Sequence, residues 1–153
     1  MTGSTGGSPH RGRPNDTVRG LIGGEVVADW VEGTSSIFRA ALPITALYLT
    51  GSICLGAFNP ALSDLDLSVI TNQTVDEVGL GEVAGLLEGH GPPPAHGGLD
   101  VELFDAADAR DPSMPLRWHG TIRWRRDVGR PEVHAASPYG ALDWAPSLEL
   151  TRR

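Results

Sequence analysis

Cysteine occurs once, at Cys54. The chain therefore forms no internal disulfide and offers no cluster of thiolates to a metal. Long apolar runs are missing too, and none approaches the roughly 20 residues that span a bilayer. The opening stretch, MTGSTGGSPHRGRPND, has two arginines but no apolar core, so it does not read as a secretory signal. Residues 1–15 are rich in Gly, Ser and Pro and are expected to form a disordered lead-in. A cytoplasmic location is the default these absences leave. Positive charge is scarce, with 12 Lys plus Arg against 19 Asp plus Glu, a net charge of −7 and a pI near 5.1. That balance argues against a non-specific nucleic-acid binder, which needs a basic surface. It remains compatible with an anionic small molecule that arrives with a divalent cation, and it suits a cationic small substrate.

What is present is enough for one domain: 153 residues, 40% of them hydrophobic, with no internal repeat. The domain is expected to span 16–126, with an irregular tail over 127–153. Asp16 or Thr17 caps an expected helix carrying Val18, Leu21, Ile22, Val26, Trp30 and Val31 at roughly 3.6-residue spacing. Gly23 and Gly24 weaken it by about 1 kcal/mol each relative to Ala. A second helical stretch, Ser35 to Ala41, ends at Pro43. Residues 46–50 (ALYLT) read as a strand, followed by a Gly51-Ser52 turn and a helix start at Ile53-Cys54-Leu55. Asn59-Pro60 marks another turn. Residues 65–71 (LDLSVIT) are a second strand and Thr74–Glu88 a helix, with Val75, Val78, Val83, Leu86 and Leu87 as its apolar positions. Residues 89–98 (GHGPPPAHGG) form an irregular loop. Leu99–Phe104 alternates as a third strand, with Asp100 and Glu102 on one face. Ile122–Arg125 reads as a short fourth strand.

The chemistry gathers around Ser63-Asp64-Leu65-Asp66-Leu67. Alternate strand residues share a face, so Asp64 and Asp66 project together, about 6.5 Å apart along the backbone. Two carboxylates so placed can converge on one or two hard cations, as in two-metal sites that clamp the oxygens of an in-line displacement. The plain alternative is a solvated sheet face, although aspartate is depleted in strands. Gly51-Ser52, where a strand turns toward a helix, allows close approach to the backbone, and the free N–H groups and the Ser52 hydroxyl suit a phosphate. The turn lacks the Gly-Lys-Ser/Thr of a Walker loop, and Gly-Ser alone is more often an ordinary turn. His90 and His96 flank a proline-rich loop and read as solvated rather than as zinc ligands. Cys54 reads as a small buried residue. Trp118, Trp124 and Trp144 read as packing residues before stacking ones. Arg123, Arg125 and Arg126 form a small basic cluster, usually a solvated edge.

Order and spacing add weight. The run LYLTGSICLGAFNPALSDLDLSVIT resembles the signature of DNA polymerase β-like nucleotidyltransferases, and within them the streptomycin/spectinomycin (aminoglycoside) adenylyltransferase branch. The resemblance is strong over 46–71 and weaker through Asp100 to about Trp124. It implies an α/β (α+β) fold, a small mixed, twisted sheet with flanking helices. It further implies Mg²⁺-dependent transfer of AMP from ATP to a hydroxyl of a small molecule, with antibiotic resistance as the family's role. Residue by residue, Gly51 and Ser52 would hold the nucleotide phosphates, and Asp64 and Asp66 would bind Mg²⁺. Asp100 matches the third acidic position, as a further metal ligand or as the base. The adenylyltransferase branch has glutamate there, and Glu102 on the same face is a competing residue.

The larger resistance enzymes carry a helical C-terminal domain, and no amphipathic bundle is legible in the 29 residues after Trp124. The expectations that follow are a truncated, weakly active nucleotide-binding remnant, or a minimal nucleotidyltransferase. The latter would borrow surface from a partner or a second copy, or use a protein or RNA hydroxyl as acceptor.

Overall fold

The computed structural model describes residues 24–110 and 118–135. Helix α1 spans Glu25–Ala41 and starts at Gly24, whose φ of 124° suits only glycine. Its buried residues Val27, Trp30, Val31, Thr34 and Phe38 follow the spacing of a single apolar stripe. The two helices expected here are therefore one within the described residues, and the capping residues Asp16 and Thr17 lie outside them. Helix continuity through Gly33 has a packing reason. A Cβ there would overlap the ring of His90, so the glycine lets α1 lie close against the next helix.

Strand β1, Ile44–Leu49, leads into a single 3-10 turn at Gly51–Ile53 instead of a longer helix. Strand β2 spans Asp64–Thr71. Helix α2 covers Glu77–His90 and is capped by Asp76, whose side chain accepts a hydrogen bond from Gly79 N at 2.9 Å. It starts later than the apolar pattern suggests. Val75 is buried just before it, whereas Val78 and Leu86, expected on the apolar side, are 69% and 51% exposed. The inward stripe is Leu80, Val83, Ala84 and Leu87, the spacing that places side chains on one helical face. His90 closes α2 rather than sitting in a loop. Its Nε2 donates to Trp30 O at 3.1 Å, and Trp30 Nε1 donates to Gly91 O at 3.1 Å, which ties the two helices together.

Strand β3, Gly98–Asp105, runs straight into a short helix α3, Ala106–Arg110. Strand β4 is Trp118–Trp124 and β5 is Glu132–Ala135. Nothing in the composition after Asp127 announces β5, which forms against its neighbour β4. The five strands make one sheet in the order β1-β2-β3-β4-β5. Strands β2 and β3 are parallel, joined across α2, and the other pairs are antiparallel. This is the mixed α+β sheet with flanking helices that the sequence implies. No helix among the described residues is long and apolar enough to cross a membrane.

The main core lies on one side of the sheet, and a smaller cluster of Ile70, Phe104 and Ala106, with Ala46 against it, packs on the other. Leu65, Leu67 and Val69 of β2 sit beside Leu99, Val101 and Leu103 of β3, with Ile122 and Trp124 of β4 completing the layer. All belong to one apolar cluster with the stripes of α1 and α2. Each fully buried side chain of this size contributes about 1.5–3 kcal/mol. The intervening residues, Asp64, Asp66, Ser68, Asp100 and Glu102, necessarily point to the opposite face.

Candidate active site on the open sheet face

Parallel register does the first part of the assembly. Asp66 pairs with Asp100 and Ser68 with Glu102 on adjacent strands, so a single side-chain row crosses from β2 to β3. The start of that row is set by Gly97, which belongs to no motif legible in the sequence. A Cβ on Gly97 would come within 2.7 Å of Asp64 N, so only glycine lets the two strand starts approach so closely. Gly97 N also donates to Ser63 O at 2.9 Å, and His96 N to Pro60 O at 2.8 Å. The loop entering β2 is itself closed on Asn59. Its carbonyl accepts from Leu62 N and Ser63 N, and its side-chain oxygen accepts from Ala61 N.

Asp64, Asp66 and Asp100 each offer an oxygen, and those three oxygens all lie within 4.8 Å of one another. Gly51 closes the group from the β1 side. It has φ 63°, and a Cβ there would overlap the carboxylate of Asp66. Thr50 N donates to Asp66 O at 2.9 Å, which fixes the turn against β2. In that turn the Ser52 hydroxyl oxygen is buried and meets no hydrogen-bond partner among the described residues. A buried hydroxyl without a partner is costly, and a ligand oxygen or water would relieve it.

Two arginines face the carboxylates. Arg125 donates from Nη2 to Asp100 Oδ2 at 2.9 Å, and from Nη1 to Asp64 Oδ2 at 3.3 Å and to Gly97 O at 2.9 Å. Arg123 donates from Nε to Asp100 Oδ1 at 3.0 Å. The basic cluster is thus largely part of the site and not a solvated edge; only Arg126 lies apart from the carboxylates on exposed chain. The sequence does carry a signal for this. Ile122 and Trp124 alternate with Arg123 and Arg125, so an inward apolar pair implies an outward basic pair.

Negative charge still exceeds positive. Among the described residues, four carboxylates (Asp64, Asp66, Asp100, Glu102) face two guanidinium groups, a local excess of two charges when all are ionised. Burial, then repulsion from Asp64 and Asp100, pushes the Asp66 carboxyl up to about 6, against a smaller opposing pull from Arg125. Burial, then Asp100 and Asp66, pushes Glu102 up to about 7, opposed by Arg123. All the donors are hard oxygens and the excess matches a divalent charge, so the residues present fit a hard divalent cation.

Residues 31–106 match the family model of the nucleotidyltransferase domain. That span carries the Gly51-Ser52 turn, all three clustered aspartates and Glu102, and it stops before Arg123 and Arg125. No curated protein matches the chain. A nucleotidyltransferase domain implies a nucleotide substrate, and the three-carboxylate group is a candidate for holding a divalent metal. Other residues singled out from the sequence fall elsewhere. Cys54 is exposed instead of buried, with its thiol directed to Leu49 O. Trp124 is core, whereas Trp144 lies outside the described residues. Neither His90 nor His96 joins a group of metal-ligating side chains among the described residues.

Proposed function

We propose that this protein is a Mg²⁺-dependent nucleotidyltransferase that moves AMP from ATP to a hydroxyl of a small molecule. The observation that carries the reading is the convergence of Asp64, Asp66 and Asp100 beside the Gly51-Ser52 turn. Magnesium bound there would be held by Asp64 and Asp66, with Asp100 as third ligand, and would supply charge neutralisation to the triphosphate. The Gly51 backbone and the unpartnered Ser52 hydroxyl would take the phosphate oxygens. The acceptor oxygen attacks the α-phosphorus in line, the bond to the bridging oxygen breaks, and pyrophosphate leaves with that oxygen. The acceptor's proton passes to a carboxylate of the open face. Glu102 lies in the same side-chain row but outside the three-aspartate group, which makes it the carboxylate that takes this proton, with Asp100 as the alternative. The acidic net charge and the likeness of residues 46–71 to aminoglycoside adenylyltransferases support a cationic, aminoglycoside-like acceptor.

The deciding measurement is pyrophosphate release from Mg-ATP with a panel of aminoglycosides, beside Asp64→Asn. Release that depends on one acceptor and disappears in the variant establishes the reaction and its acceptor class. A second reading, a nucleotide-binding domain with little turnover, draws on the arginine already bridging Asp64 and Asp100. Mg-dependent ATP binding without release from any acceptor would favour it.

A further inference from the structure

Arg125 is held in an unusual way for a residue beyond the matched nucleotidyltransferase span. Its two terminal nitrogens reach carboxylates on two different strands, Asp64 at the start of β2 and Asp100 in β3. A third bond goes to the Gly97 carbonyl, which is neutral. The guanidinium therefore stands where positive charge is needed between two of the three aspartates. Its side chain is 36% exposed, so it has solvent to move into. Arg123 differs: among the described residues its ion pair is with Asp100, through one nitrogen, and it is more exposed.

We propose that Arg125 is a displaceable cation that holds Asp64 and Asp100 together in the metal-free protein and is pushed aside when a divalent metal binds them. The inference rests on the metal-dependent reading of the site. Two cations within one cluster of carboxylates repel, and an oxygen coordinated to a metal has less charge to offer a guanidinium. The ion pairs to Asp64 and Asp100 are therefore given up on metal binding, while the bond to Gly97 O carries no such conflict and keeps the side chain at the rim. Arg125 acts through the carboxylates on this account: it offsets their charge when no metal is present and competes with the metal for them, which sets how tightly the metal binds.

The test uses Mn²⁺ as probe, on the full chain without nucleotide, with affinity measured by calorimetry or by the free-ion paramagnetic signal. Arg125→Gln, shown to be folded by its circular dichroism, is expected to bind Mn²⁺ about three- to tenfold more tightly, the effect of removing two competing, partly exposed ion pairs. A purely structural arginine would give weaker binding instead. Unchanged or weaker binding in the folded variant overturns the proposal. The wild-type chain gives an independent measurement that does not depend on the variant folding. The Arg125 guanidinium signals in a ¹⁵N-arginine spectrum are expected to be sharp and slowly exchanging without metal, and to lose that protection on saturation with Mg²⁺. Protection that persists at saturation overturns the displacement while leaving the metal site intact. Absence of any Mn²⁺ binding by the wild type overturns both the displacement and the metal-dependent reading beneath it.

Discussion

The two faces of the sheet share the same strands and differ in nearly everything else. On the covered face, Leu65, Leu67, Val69, Leu99, Val101 and Leu103 are all within 1% of complete burial against α1 and α2. On the open face, one residue away in each case, Asp64, Asp66, Asp100 and Glu102 are only partly buried and repel one another. Alternation along a strand separates the two sets physically. The covered face carries most of the core, and the other, beside its small apolar cluster of Ile70, Phe104 and Ala106, stores unfavourable charge that a ligand can relieve. The contrast explains how this domain tolerates four clustered carboxylates, since the cost is confined to a surface the main core does not share.

The strongest test of that separation is Asp66→Asn. It should lower nucleotidyl transfer by about 10³-fold or more, since metal-supplied charge stabilisation is worth several kcal/mol. The metal-free protein should melt at the same temperature or higher, because a repelling charge is removed. A variant that loses activity only because it unfolds would break the comparison. From the other face, Leu67→Ala should cost about 2–5 kcal/mol by transfer and cavity terms, read in a urea titration. The fraction still folded should bind Mg²⁺ with unchanged affinity, and a large affinity loss in that fraction would show that the faces are coupled.

Gly51→Ala touches the boundary between them. The left-handed backbone alone costs about 1–2 kcal/mol, and the new methyl would push on the Asp66 carboxylate. Weaker Mn²⁺ binding should accompany the lower melting temperature; full metal affinity would mean that Asp66 is not held by that turn. The smallest expected effect concerns pH. Asp66 and Glu102 hold their protons more tightly folded than unfolded, with folded values of about 6 and about 7. Their contribution to stability is therefore present below about pH 4 and is lost as pH rises through 6 and 7. In chelator, the melting temperature should fall by a few degrees between pH 5 and pH 8, and saturating Mg²⁺ should remove the trend. A rise over that range without metal would contradict the electrostatic picture of the open face.

Much of this site is legible in the sequence. Asp64 and Asp66 stand out because two aspartates on one face of an apolar strand have no packing reason to be there, and Asp100 because the next strand repeats the pattern. Arg123 and Arg125 pass for a solvated edge because a basic cluster has no period of its own; only the alternating Ile122 and Trp124 reveal their direction. Cys54 passes for a buried residue because an apolar tripeptide after a turn looks like a helix start, whereas the chain makes one 3-10 turn and leaves the thiol outside. Gly33 escapes notice for a different reason. Inside a helical pattern it reads as a weakness, and its use appears only when His90 arrives from α2, far along the chain.

The sequence alone determined which residues could bear charge, which face of each strand they would share, and where the close turn at Gly51 had to fall. These are local consequences of strand period and of glycine's freedom at positive φ. Only the tertiary structure decided that β2 and β3 lie side by side in parallel, that Asp66 faces Asp100, and that Arg125 reaches back to Asp64. Those juxtapositions depend on strand order and on the burial of a common apolar layer, which act between segments tens of residues apart and leave no periodic trace in either one.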